Sequence, residues 1–138
     1  FTGVRATHTK DHFTRAVLEG VAYSLLDSKL YLDSLGIDYN NVATAIGGGT
    51  KGKLWRQMIA DTLGITLKTT ESSDSSFGSA MLAGIAVGIF ENAEDAVNKC
   101  VKPIDITYPN CDNTPKYREV FNVYKKIHDA LAPIYSAR

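Results

Sequence analysis

Three consecutive glycines, Gly47, Gly48 and Gly49, stand between a short apolar run, Val42 to Ile46, and a polar turn, Thr50 to Lys53, that opens a helix. Glycine lets the backbone take positive φ and lets a ligand approach the main chain closely. The first turn of the following helix offers unpaired N–H groups and the positive end of its dipole. Strand, glycine turn and helix start therefore make a geometry that holds phosphate or a nucleotide. A tight strand-to-helix turn with no ligand is the plain alternative. Lys51, Lys53 and Arg56 crowd the turn and either meet phosphates or form solvated surface. GxxxxGK[ST] is absent, so this is not a P-loop. The dinucleotide spacing GxGxxG is met only loosely by Gly47, Gly49 and Gly52, and no acidic residue closes the next strand as that motif requires.

Other reactive side chains do not assemble into a recognisable centre. His8 and His12 can face one another at helical spacing, but no third ligand lies near in sequence, and a metal site is not expected. The serines of TESSDSSFG lack a nucleophile-elbow pattern and read as turn and cap residues. Asp11, Glu19, Asp61 and Asp74 are scattered over helices and caps, unpaired for acid–base work, and read as solvated or capping. Cys100 and Cys111 match no metal motif and no disulfide framework; reduced thiols in a cytoplasmic protein are expected. The residues thus provide a nucleotide cradle without a catalytic group.

The elements that must position this cradle follow from periodicity. Phe1 to Thr7 reads as a strand or extended loop bent at Gly3. A helix is predicted from about Thr9 to Leu35, capped by Thr9, stopped by Gly36, and roughly 40 Å long. Its stripe is Phe13, Ala16, Val17, Gly20, Val21, Ser24, Leu25 and Leu35, and the mid-helix Gly20 suggests close packing or approach of a ligand. A strand over Val42–Ile46 leads to the glycine turn and a helix closed by Gly64. It carries Leu54, Trp55, Met58, Ile59 and Leu63 on one side.

Ile65–Thr70 reads as a strand, then a polar turn with Asp74 or Ser75 as the cap of a helix over about Ser76–Ile89. Small residues at Ser76, Ala80, Gly84 and Gly88 predict that this helix is buried tightly against a sheet or another helix. A short amphipathic helix over Asn92–Cys100, an extended Pro103–Pro109, a turn at Asn110–Pro115 and a last helix over about Lys116–Leu131 complete the chain. Alternating strands and helices argue for α/β with parallel pairing. So few strands for so much helix imply that strands from outside this chain complete the sheet.

Composition sets the outer bounds. The 138 residues suit one domain, with 44% apolar and 22% charged residues. Lys and Arg number 15 against 15 Asp and Glu, so no footprint for nucleic acid or a charged membrane surface is expected. The most apolar window, Phe77 to Phe90, is too short and glycine-rich to span a bilayer. The chain begins at Phe1, already in structured-looking sequence, which suggests part of something longer, with processing as the alternative explanation.

Three segments together resemble the C-terminal domain of the FGGY carbohydrate kinases, a branch of the actin-like ATPase (ribonuclease H-like) fold. Gly3-Val4, seven residues, then HFTRAVLEG from His12 to Gly20 is similar to the family's C-terminal signature. GGGTKGKLWRQMIADTLG resembles its adenine-side loop and following helix, and DSSFGSAMLAGIAVGIF its glycine- and alanine-rich helix. Within the family, the GGG…LWRQ loop looks most like that of xylulose kinases, with gluconate kinases next.

The resemblance implies that residues 1–138 are the C-terminal nucleotide-binding portion of such a kinase, with a partial mixed or parallel sheet flanked by helices. The implied activity is transfer of the γ-phosphate of Mg2+-ATP to a sugar, D-xylulose foremost, in a cleft closed by an N-terminal domain of the same kinase. Gly48 and Gly49 would pack against the nucleotide. Gly52 stands where relatives place a small or amide residue that contacts it, and Gly20 and Ser24 match positions that approach it in some members. Lys53 is added on charge. The catalytic base would lie upstream, and a homodimer is compatible with this reading. Two rivals remain: an actin-like module for nucleotide-dependent assembly, and a fragment of a dinucleotide-binding oxidoreductase.

Overall fold

The computed structural model describes residues 1–38, 40–71 and 75–136. The elements run α1 (Lys10–Ser34), β1 (Val42–Thr44), a 3-10 turn (Gly48–Lys51), α2 (Lys53–Leu63), β2 (Thr66–Thr70), α3 (Ser75–Ala86), α4 (Ala93–Cys100), β3 (Pro103–Thr107) and α5 (Thr114–Ser136). β2 is central, pairing parallel with β1 and antiparallel with β3, so the sheet is mixed. Residues 1–9 form a loop with Gly3 at φ +71° and contribute no strand.

Helix ends follow local chemistry closely. Thr9 opens α1, and its backbone N–H donates to Nδ1 of His12 at 3.1 Å. At the far end Gly36 takes φ +72°, with Gly36 N–H on the Asp33 carbonyl and Ile37 N–H on that of Leu32, a Schellman motif. Gly64, at φ +68°, closes α2. Gly88, read from sequence as part of a packing stripe, is instead another helix stop. It has φ +79°, and Ile89 N–H reaches back to the Gly84 carbonyl at 2.8 Å, so α3 ends at Ala86. Asp74 lies outside the described residues, and Ser75 is the first residue of α3.

Two apolar clusters hold the elements together. Ala22 of α1 packs with Ile59 and Ala60 of α2 and with Ile65 and Leu67 around β2. Tyr23 and Leu26 pack against Phe121 of α5, with Tyr117 and Tyr124 at the margin. The buried residues of α1 are therefore Ala22, Tyr23 and Leu26, not the Val17–Val21–Leu25 row expected from periodicity, whose members are exposed. α3 also departs from expectation: of its small residues only Gly84 is buried, beneath Phe90, while Ser76 and Ala80 are exposed. α5 runs on through Pro133 to Ser136.

Candidate functional site

The glycine turn leads into the first turn of α2, whose Trp55 ring lies against Gly49. Gly47 enters it at φ +93°, a value that L side chains rarely adopt. Thr50 closes it, donating from both its N–H and its hydroxyl to the Gly47 carbonyl at 3.2 and 2.7 Å. A Cβ on Gly49 would fall 1.9 Å from the Trp55 ring, so only glycine lets the turn rest on the indole. A Cβ on Gly48 would meet nothing within 4 Å.

Across from this turn stands the exposed row of α1. Between them lies a cavity of about 380 Å³, whose walls include Val21, Leu25, Ile46, Gly48, Gly49, Trp55 and Ile59. Small-molecule sites span about 300–1,000 Å³, so the volume suffices for part of a nucleotide. Arg56 is the one charged side chain among the described lining residues. It is 6% exposed and forms an ion pair with Asp105 of β3. Its Nη1 donates to the Thr50 carbonyl at 2.6 Å and its Nε to Thr107 Oγ1 at 3.4 Å. The expectation that Arg56 meets phosphate or solvent is corrected, because its charge is already matched inside the protein. Such walls suit a flat, weakly polar group, a base more than a phosphate.

The residues proposed from sequence divide accordingly. Gly48 and Gly49 line the cavity; Gly52, Lys53, Gly20 and Ser24 do not. Gly52 is the N-cap of α2, its N–H donating to the Gly49 carbonyl at 3.3 Å. Lys51 and Lys53 are exposed. Gly20 and Ser24 sit one position before Val21 and Leu25, which do form the wall. A Cβ on Gly20 would meet nothing, so Gly20 serves no close packing among the described residues. Ser24 Oγ donates to the Val21 carbonyl at 2.9 Å. Sequence reasoning missed Val21, Leu25 and Trp55 as walls because apolar periodicity signals burial without saying what covers it.

Asp61 is a second correction. Only 2% exposed, it is neither solvated nor a helix cap. Its carboxylate accepts from Gln57 Nε2 at 2.7 Å, the Asn110 backbone N–H at 2.8 Å and Asn113 Nδ2 at 2.9 Å. His8 and His12 do stack, with ring centroids 5.2 Å apart. No group of three His, Cys, Asp or Glu side chains gathers among the described residues, so they form no cage for Mg2+. No described helix is long and apolar enough to cross a membrane.

Residues 1–87 match the family model described as "FGGY family of carbohydrate kinases, C-terminal domain". The chain belongs to this family. It is 36% identical over 129 residues to a xylulose kinase of Staphylococcus epidermidis, covering 93% of this chain and 26% of that protein. The chain thus spans about a quarter of the length of that curated relative. A ligand-bound xylulose kinase from Lactobacillus acidophilus superposes with a TM-score of 0.86 at 25% identity, covering 99% of this chain and 28% of the other. A gluconate kinase from the same species gives 0.87 at 24% identity, with the same coverage. The fold is therefore the actin-like ATPase fold of the FGGY sugar kinases, represented here by a small mixed sheet and its helices.

Proposed function

We propose that residues 1–138 are the adenosine-holding part of an ATP-dependent sugar kinase, and that the sugar is D-xylulose. The observation that carries this reading is the cavity between α1 and the glycine turn. Its apolar walls and internally paired Arg56 suit a nucleobase, and Gly48 leaves the main chain open to it. Phosphoryl transfer depends chiefly on positioning and on stabilising charge, so a segment that fixes the nucleotide contributes without supplying a base. The turn and Trp55 would orient the base, while Val21 and Leu25 would exclude water from it. Mg2+ would neutralise phosphate charge when bound. The residue that deprotonates the sugar hydroxyl is assigned to the N-terminal part of the same kinase. D-xylulose is preferred to gluconate because the 36% identity is to a xylulose kinase, whereas the gluconate kinase is like this chain in fold.

The test is Gly48→Val in the full-length kinase that carries this chain. A side chain at this lining position should compete with the nucleotide, and the ATP KM should rise at least about tenfold, a loss of about 1.4 kcal/mol of binding, with the sugar KM little changed. Equal damage to both would assign the glycine to folding or closure. Sugar-stimulated ADP release across D-xylulose, L-ribulose, gluconate and glycerol tests the substrate. Silence across that panel, with ATP still bound, would favour an actin-like interaction module.

A further inference from the structure

We infer that Asp105, which lies outside the cavity, is a positioning residue for the nucleotide cradle and acts through Arg56. This rests on the nucleotide reading above and deepens it. Asp105 and Arg56 are 49 residues apart in sequence and meet where β3 passes the first turn of α2. The guanidinium directs its donors three ways: Nη2 to Asp105, Nε to Thr107 on the same strand, and Nη1 to the Thr50 carbonyl. Thr50 in turn holds the Gly47 carbonyl with both its hydroxyl and its N–H. A continuous polar chain therefore runs from the sheet to the first residue of the glycine turn. Gly47 and Thr50 both line the cavity, whereas Asp105 does not.

The guanidinium is planar, so fixing two of its donors on β3 fixes the direction of the third. Without the Asp105 charge, a buried cation no longer has a reason to stay in that plane. The Thr50 carbonyl then loses a donor held at 2.6 Å, and the turn loses this side-chain link to β3. Lysine at position 56 would keep the charge but cannot serve three acceptors spread around a plane. Asp105 itself is partly exposed, its side chain retaining 44% of its accessible surface.

The experiment compares the full-length kinase with Asp105→Asn, Arg56→Lys, the double variant, and Asp105→Glu, using Gly48→Val as reference. Asp105→Asn and Arg56→Lys should each raise the ATP KM about tenfold, the low end expected for a charged hydrogen bond, with little change in the sugar KM. The double variant should do no worse than either alone, because both break one link. Asp105→Glu, which restores the charge, should return the ATP KM to within about threefold of the parent value, as residues of one coupled pair allow. An ATP KM unchanged in Asp105→Asn while Gly48→Val raises it would overturn the inference and leave the nucleotide reading standing. Equal rises in both KM values would also overturn it, assigning the ion pair to folding. No effect from any variant, Gly48→Val included, would overturn both.

Discussion

Adjacent glycines in the turn have different reasons to be glycine. Gly49 is fixed from inside, since any side chain there enters the Trp55 ring. Gly49→Ala should cost about 1–3 kcal/mol by overpacking, and Trp55→Leu in the same chain should recover part of it in thermal unfolding. Gly48 is free on its own account, so Gly48→Ala should change stability by less than about 1 kcal/mol. The glycine run was legible in the sequence. The distinction was not, because it depends on the turn folding back onto a side chain six residues later. Arg56 and Asp61 were misread for the same reason: their partners, Asp105 and Asn110, lie about fifty residues away, and no local pattern announces them.

Tyr23 supplies the pH-dependent prediction at this scale. It is 4% exposed, its hydroxyl has no hydrogen-bond partner among the described residues, and burial, chiefly, pushes its pKa well above the ordinary tyrosine range. Above about pH 10 an unfolded tyrosine releases its proton, while folded Tyr23 keeps it. The folded state then binds more protons, so stability falls as pH rises. Tyr23→Phe should flatten that decline between pH 9 and 11 (roughly the tyrosine window) and be neutral or stabilising at pH 7. A smaller slope should survive, because burial also raises the pKa of Tyr117. Urea unfolding at several pH values gives both results.

At the scale of elements, the ends of α1 and α2 were readable because Thr9, Gly36 and Gly64 act through their immediate neighbours. Gly88 was misassigned because a helix-stopping glycine and a packing glycine look alike until φ is known. The start of α5 depends on a distant group. Asp61 holds the turn before that helix by accepting from Asn110 and Asn113. Asp61→Ala should cost roughly 2–3 kcal/mol, the loss of hydrogen bonds to a buried charge. Amide exchange at Asn110 and through the first turn of α5 should accelerate before that of β2. A uniform loss of protection would place the effect in the core instead.

For the whole molecule, the α/β pattern was legible, but the direction of β3 was not, since pairing direction depends on where the chain returns. The apolar row of α1 shows the same limit. Periodicity found the residues and assigned them to the core, whereas Val21 and Leu25 became a cavity wall. Asp61 and Arg56, the buried charged side chains among the described residues, are both engaged in structural bonds. The 138-residue chain purified alone should accordingly show no sugar-dependent ATP turnover in a coupled ADP assay. Turnover would show that a catalytic base lies within it.

The pairing of α1 with α5 has a consequence for synthesis on the ribosome. Tyr23 packs against Phe121 and Tyr124, and Asp27 bonds Lys125, which lies 98 residues later. At translation speeds of roughly 5–20 residues per second, α1 is made on the order of 5–20 s before its partner helix. Tyr23 and Leu26 therefore lack their α5 partners through that interval, so the α1–α5 cluster closes only after the rest of the chain has been made.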